Sequence, residues 1–293
     1  MNGFCAQDGV FIDVAPGIEV KEPIHLVFVV TGDAPVVSQP RCYFRVGEGA
    51  SFSLGTSSVC NGSGHFSNAY FQWDVQDNAK VNFVGVNLEE REGFRFETTR
   101  VRQGTSSDFN AVYITKGSQL TRLDIQVDMA GESANCSLNG LNLLGHSSEL
   151  YSRTRLNHLV PKCTSSQSFK SVLSDKAVTE YQGLVYVDQI AQLTDASQSN
   201  PNLILSDQAR ALSRPQLEIF ADDVVCGHGA TVGQLDDQHV FYLQSRGFSE
   251  SEAKWVLLQG FADEIVDMVQ VPFIQKASQK IVKETLPELV DSL

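Results

Sequence analysis

The stretch KGSQLTRLDIQVDMAGESANCSLNGLNLLGHSSELYS, residues 116–152, decides the fold. Three times within it the chain writes a weak repeat, in form a Gly or Asp, one residue, a small residue and then alternating apolar and polar positions: KGSQLTRL from Lys116, AGESANCSL from Ala130 and GHSSELYS from Gly145. Strict alternation of apolar and polar residues is the signature of a strand with one buried face. The copies lie about 14 residues apart, too close for a helix between them, and each follows turn-forming residues. Looser copies are GEGASFSL at Gly47, QDNAKVNF at Gln76 and SDKAVTEY at Ser174, where the spacing drifts or doubles. Strand-plus-turn units repeated this way predict stacked coils, each covering its neighbour's open edge, with the small residue at a crowded corner. A two-sheet sandwich writes a similar text.

The strand reading extends from about Phe11 to about Leu235, through runs such as VFIDVA, AKVNFVGVNL, FNAVYIT and LVYVDQI. The end of the chain changes period. In LDDQHVFYLQSRG, Asp236 is a helix N-cap, Val240, Phe241 and Leu243 are apolar, and Gly247 follows the last turn. A second helix opens with a capping box, Ser249 and Glu252, and carries Ala253, Val256, Leu257, Phe261, Ile265 and Met268 on one face up to Pro272. FIQKASQKIVKETLPELV is a third amphipathic helix, interrupted near Pro287. The expected organisation is a β core over residues 1–235 and a helical domain over 236–293.

Composition narrows the function. Of 293 residues, 35 are acidic and 22 basic, a formal charge of −13. Such a field repels phosphate backbones, so nucleic acid is not an expected partner. IHLVFVV, residues 24–30, is too short to span a bilayer, and MNGFCAQDGV lacks the pattern of a signal peptide, so a cytoplasmic location, or an organelle stroma after processing, is expected. Cysteines at 5, 42, 60, 136, 163 and 226 form no CxxC pair, which leaves free thiols, most of them small core residues. P-loop, dinucleotide-binding, HExxH, GxSxG and EF-hand patterns are all absent. Asp222–Asp223 and Asp236–Asp237 read as solvated pairs. His25, His65, His146, His158 and His239 stand alone and read as surface or core residues, as Trp73 does.

One stretch stands out, CGHGATVG at Cys226. A thiolate and an imidazole suit iron or zinc, and Gly227, Gly229 and Gly233 permit positive φ and close approach in what reads as a turn. Two ligands are half of a tetrahedral site. Metal binding with ligands from elsewhere, catalysis and a structural turn all remain open on spacing alone.

RPQLEIFADDVVCGHGATVGQLDDQHVFYLQSRGFSESEAKWVLLQGFADEIV, residues 214–266, resembles the C-terminal signature of the SufB/SufD family of iron–sulfur cluster assembly scaffolds, on its SufD side. DGVFIDVAPGIEVKEPIHLVF, residues 8–28, resembles the start of that family's β core. SufB members carry a cysteine ahead of GAHTFPY and then EHEATTS. Here Ala209 stands about where that cysteine falls, and CGHGATVG replaces the second motif, which sets the SufB-type alternative behind.

The resemblance implies a right-handed parallel β-helix with a C-terminal α-helical domain. It implies a non-catalytic scaffold that pairs with a SufB-type subunit through its β-helix and binds a SufC-type ATPase through its helices. It implies no permanently bound cofactor, but transient iron or Fe–S cluster contact at His228, with Cys226 beside it. Trp255, Leu258 and Phe261 are the candidates for ATPase docking or for packing the helical module. Members carry a further N-terminal helical segment, so a fragment or trimmed form is expected. A homodimer in isolation is expected from the open coil ends. A β-helix carbohydrate-active enzyme is the alternative of another class. It would draw on Arg100, Arg102, Asp108, Arg122 and Asp124, which alternation is expected to scatter over both faces.

Overall fold

A computed structural model describes residues 2–6, 8–32, 34–61, 64–88 and 92–291. After a short helix α1 (Asn2–Cys5) come β1 (Phe11–Val14), β2 (Ile24–Thr31), β3 (Val37–Ser38), β4 (Arg41–Val46), β5 (Ser51–Asn61) and β6 (Phe66–Val75). There follow β7 (Lys80–Leu88), β8 (Phe94–Gln103), β9 (Asp108–Lys116), β10 (Leu120–Met129), β11 (Asn135–Leu144) and β12 (Glu149–His158). The last strands are β13 (Thr164–Leu173), β14 (Val178–Val187), β15 (Thr194–Ile204), β16 (Arg210–Ile219) and β17 (Val224–Gly233). Helices α2 (Asp237–Ser245), α3 (Glu250–Val266) and α4 (Pro272–Asp291) close the chain.

From β4 onward the chain alternates between two sheets. Even-numbered strands stack in order into one and odd-numbered strands into the other, and all pairings are parallel. The result is a parallel β-solenoid of about seven turns. Leu120 pairs with Glu149, and Glu149 with Val178, a step of 29 residues. The spacing of about 14 in the sequence is therefore half a coil, one strand and one corner.

The small residue of the repeat does sit at the corner. Ala50, Ala79, Ser107, Ala134, Cys163, Ala177 and Thr194 are all buried there. The residue before it is often left-handed, as at Asn78 (φ 57°), Ser106 (φ 53°), Ser133 (φ 58°), Lys162 (φ 62°) and Leu193 (φ 60°). Left-handed backbone costs a non-glycine residue about 1–2 kcal/mol. A ladder of corner hydrogen bonds offsets it: Asn78 N to Thr105 O, Ser106 N to Glu132 O, Lys162 N to Gln192 O and Leu193 N to Asp223 O, at 2.6–2.9 Å.

Inward residues of both sheets fill the solenoid. Near its start this core is aromatic, with Trp73 stacked on Phe44 at 4.2 Å and flanked by Phe52, Phe83 and Phe109. The outer face of the odd-strand sheet is also apolar in the middle coils. Val84, Val86, Val112, Ile114, Leu141, Leu143 and Val172 form one cluster with α3 and α4. The helices are packed on the solenoid, and no described helix is long and apolar enough to cross a membrane.

The helix caps follow the sequence: Asp236 accepts from Gln238 N, Ser249 and Glu252 form the capping box, and Gly247 has φ 99°. Three details differ. The buried stripe of α3 is Ala253, Leu258, Ala262, Ile265 and Val266, while Met268 lies beyond the helix and exposed. The solenoid face, not the helix's own periodicity, selects that stripe. Pro272 begins α4 rather than ending α3, a position where its missing N–H is not needed. α4 continues through Pro287, because only one turn remains beyond it and Leu286, Leu289 and Val290 are buried in the shared cluster.

Candidate functional site

Cys226 and His228 lie on a strand, β17, and not in a turn. None of Gly227, Gly229 and Gly233 has positive φ, and a Cβ at any of them would meet nothing within 4 Å. The glycines leave bare backbone, and the strand forms because β15 templates it residue for residue.

The register orients the two side chains. Cys226 pairs with Ala196 and His228 with Gln198. In-register residues of a parallel pair point to the same face. Ala196 and Gln198 are buried in the solenoid interior, so Cys226 and His228 point to that interior as well. Cys226 packs there against the cluster of Val185, Val187, Ala191, Ala196 and Ala221. His228 is exposed all the same, because β17 is the last strand of its sheet and, among the described residues, no coil covers it. The two residues thus stand about 7 Å apart on the inner lip of an open solenoid end.

The rim of this end is apolar. Val225 is 72% exposed, Phe220 60% and Val232 50%, with Ile190, Leu193 and Ile219 also exposed. β16 and β17 each have a neighbour on one side alone, which leaves two rows of backbone donors and acceptors unpaired by sheet. Burial pushes the Cys226 thiol up, with Asp195 adding to it, so the neutral thiol is favoured. A metal would have to displace that proton. No group of three or more His, Cys, Asp or Glu among the described residues is arranged to hold a metal ion.

The other candidates fall elsewhere. Leu258 is fully buried, and Trp255 and Phe261 are partly buried against the helix–solenoid cluster. Phe261 also lies under the Lys170 ammonium, 4.4 Å from its ring centre, while that ammonium pairs with Glu264 at 2.6 Å. The exposed large apolar side chains of the helical module, among the described residues, are Phe241 at 72%, Tyr242, Phe248, Met268 and Phe273. Sequence periodicity placed Phe241 on the apolar side of α2, and only Val240 of that helix is buried.

Among the isolated histidines, His158 is fully buried with Nε2 2.9 Å from Ser165 Oγ, and burial lowers its pKa to about 4. His65 is buried and its Nδ1 accepts from Val36 N. His146 and His239 are exposed. Cys42, Cys136 and Cys163 are buried free thiols, Cys5 is exposed, and the side chain of Cys60 lies outside the described residues.

Arg100, Arg102, Arg122 and Asp124 are not scattered over both faces. They share the outer face of the even-strand sheet, because the step from β8 to β10 is an even number of residues and keeps parity. Arg100 and Arg122 both lean on Asp124, at 3.2 and 3.7 Å. Asp108 belongs to the other sheet. Arg100 and Arg122 therefore share the Asp124 carboxylate, while Arg102 stands in register between Asp74 and Asp128.

Residues 28–261 match the family described as SUF system FeS cluster assembly, SufBD core domain. The chain belongs to the SufBD family. It is 31% identical over 287 residues to the iron–sulfur cluster assembly SufBD family protein slr0076 of Synechocystis, covering 94% of this chain and 63% of that protein. It is 30% identical over 269 residues to the iron–sulfur cluster assembly protein SufD of Escherichia coli, covering 90% and 64%. Identity to the chloroplastic protein ABCI7 of Arabidopsis thaliana is 30% over 280 residues, covering 91% and 58%. The chain thus spans about three fifths of the length of these relatives, and the SufBD core domain occupies most of it. It is a SufD-like SufBD protein, and its parallel β-solenoid is the fold the sequence resemblance implied, while its hand is that family's expectation.

Proposed function

We propose that this SufBD protein is a non-catalytic scaffold of iron–sulfur cluster assembly that pairs through its last coil with a SufB-type subunit. The observation that carries the reading is the uncovered end. Cys226 and His228 face the interior of a solenoid whose last coil has no cover, inside a ring of exposed apolar side chains and unpaired strand edges. A second solenoid end would bury Val225, Val232 and Phe220 and place its own ligands opposite His228. The bare glycine backbone of β17 leaves room for that approach.

Iron or the nascent cluster is the cargo of this site. His228 is its contact from this chain and Cys226 the second donor. Two donors hold cargo weakly, which suits a site that must release it. The helical module serves the other partner, a SufC-type ATPase. Phe241, Tyr242 and Phe248 are its docking residues, while Trp255, Leu258 and Phe261 hold α3 to the solenoid. In isolation the same open end pairs with a second copy of the chain.

Co-expression with a SufB-type and a SufC-type partner from one source tests this. A stable three-component complex that loses cluster yield, but not assembly, on His228→Ala is the expected result. Separate elution of the chain with both partners present overturns the pairing. Normal cluster yield with His228→Ala overturns the site.

A further inference from the structure

Beneath His228 the interior holds a group of polar atoms with nothing to bond. Gln198, in register below His228, is 3% exposed, and neither its Nε2 nor its Oε1 has a hydrogen-bond partner. Gln167, in register below Gln198, has its Oε1 occupied by the Tyr181 hydroxyl at 3.2 Å but its Nε2 free. Ser213, on the facing strand β16, has a buried Oγ without a partner. Asn200, the next inward residue of β15, is also buried but has a partner, its amide donating to the Phe169 carbonyl at 2.7 Å, while toward Cys226 the lining is Val185 and Ala196. Gly183 makes the room, since a Cβ there would lie 2.9 Å from Gln198 Nε2 and also against the Tyr181 hydroxyl.

Orphaned buried amides are rare, because each unpaired polar atom costs free energy comparable to a lost hydrogen bond. Four such atoms, three of them in the inward file that His228 ends and one on the neighbouring strand β16, call for a common account. A histidine that ligates a metal through one ring nitrogen donates the other N–H to a nearby acceptor, which fixes tautomer and ring direction. Gln198 Oε1 is an unused acceptor one strand spacing away, about 4.8 Å between backbones. Its two lone pairs can take both a His228 N–H and Gln167 Nε2–H, and its Nε2 can then serve Ser213 Oγ.

We infer that Gln198 is the positioning residue of His228: when a partner covers the open end and excludes water, its amide oxygen takes the ring N–H and turns the other ring nitrogen outward toward the cargo. The inference rests on the proposed role of His228 and adds a residue to it. The isolated chain is poised rather than bonded, because its uncovered imidazole is still solvated.

The test uses Gln198→Met, an unbranched replacement of similar length, with Gln198→Leu as the second variant. Thermal unfolding of the full chain is measured alongside Co(II) uptake, followed by absorption, by the complex with both partners. A residue placed for structure would lower Tm on replacement. A positioning residue with unpaired atoms leaves Tm unchanged or higher and weakens Co(II) binding about 10–100-fold. Unchanged Co(II) affinity in both folded variants overturns the role of Gln198, whatever His228→Ala does. Undiminished uptake by His228→Ala, or none by the unaltered complex, overturns the cargo role of His228 and this inference with it. A clear fall in Tm for both variants overturns it as well.

Discussion

Leu258→Ala should loosen the helical module from the solenoid, and its size follows from the packing. Leu258 is fully buried in a cluster drawn from α3, α4 and the outer faces of β7, β9, β11 and β13. Its removal leaves a cavity between α3 and a hydrogen-bonded sheet that cannot move inward. Truncating a buried Leu costs about 2–5 kcal/mol, and more where the site cannot collapse, so about 3–4 kcal/mol is expected here. The chain carries its own two reporters, Trp73 inside the solenoid and Trp255 in the helical module. Urea unfolding followed by fluorescence in Trp73→Phe and Trp255→Phe backgrounds separates them. The Trp255 transition should fall by that amount at an unchanged m-value. A loss below about 1 kcal/mol would refute the reasoning, because it would mean that α3 does not depend on the shared cluster.

His228→Ala should leave stability within about 0.5 kcal/mol, since the side chain is exposed and unbonded, and circular dichroism melting checks this beside the cluster-yield assay. Val225→Asp should abolish pairing through the open end without lowering Tm, read by light scattering of the lone chain and of the partner mixture. Phe241→Asp with Tyr242→Asp should leave folding intact and remove ATPase capture in a pull-down. Acid should weaken the fold through His158, whose folded pKa of about 4 lies below its ordinary 6.5. The neutral ring contributes fully above pH 6.5, and that contribution, about 3 kcal/mol, is lost as pH falls to about 4. His158→Gln should flatten the slope of stability against pH over that window, and an unchanged slope would exclude His158 as its source.

What the sequence determined was local chemistry repeated often enough to be read. Alternation marked the strands, Ala and Ser after a left-handed residue marked the corners, and Asp236, Ser249, Glu252 and Gly247 marked the helix ends. Each of these depends on neighbours within a few residues, so a linear text carries it. CGHG could be singled out in the same way, but not placed. Its reading as a turn failed because three glycines in eight residues suppress any strand signal, and β17 exists because β15 lies beside it.

Only the closed coils decided which side chains meet. The corner lengths set whether parity is kept from one coil to the next. They put Arg100, Arg122 and Asp124 on one outer face and set Gln167, Gln198 and His228 in one inward file, residues about 30 positions apart with no local sign of each other. The buried stripe of α3 is likewise selected by the apolar outer face it packs on, and of the candidates Trp255, Leu258 and Phe261 it buries Leu258 fully. The exposure of His228 belongs to no residue at all. It arises because β17 is the last rung, and an inward-pointing side chain is covered only when another coil follows.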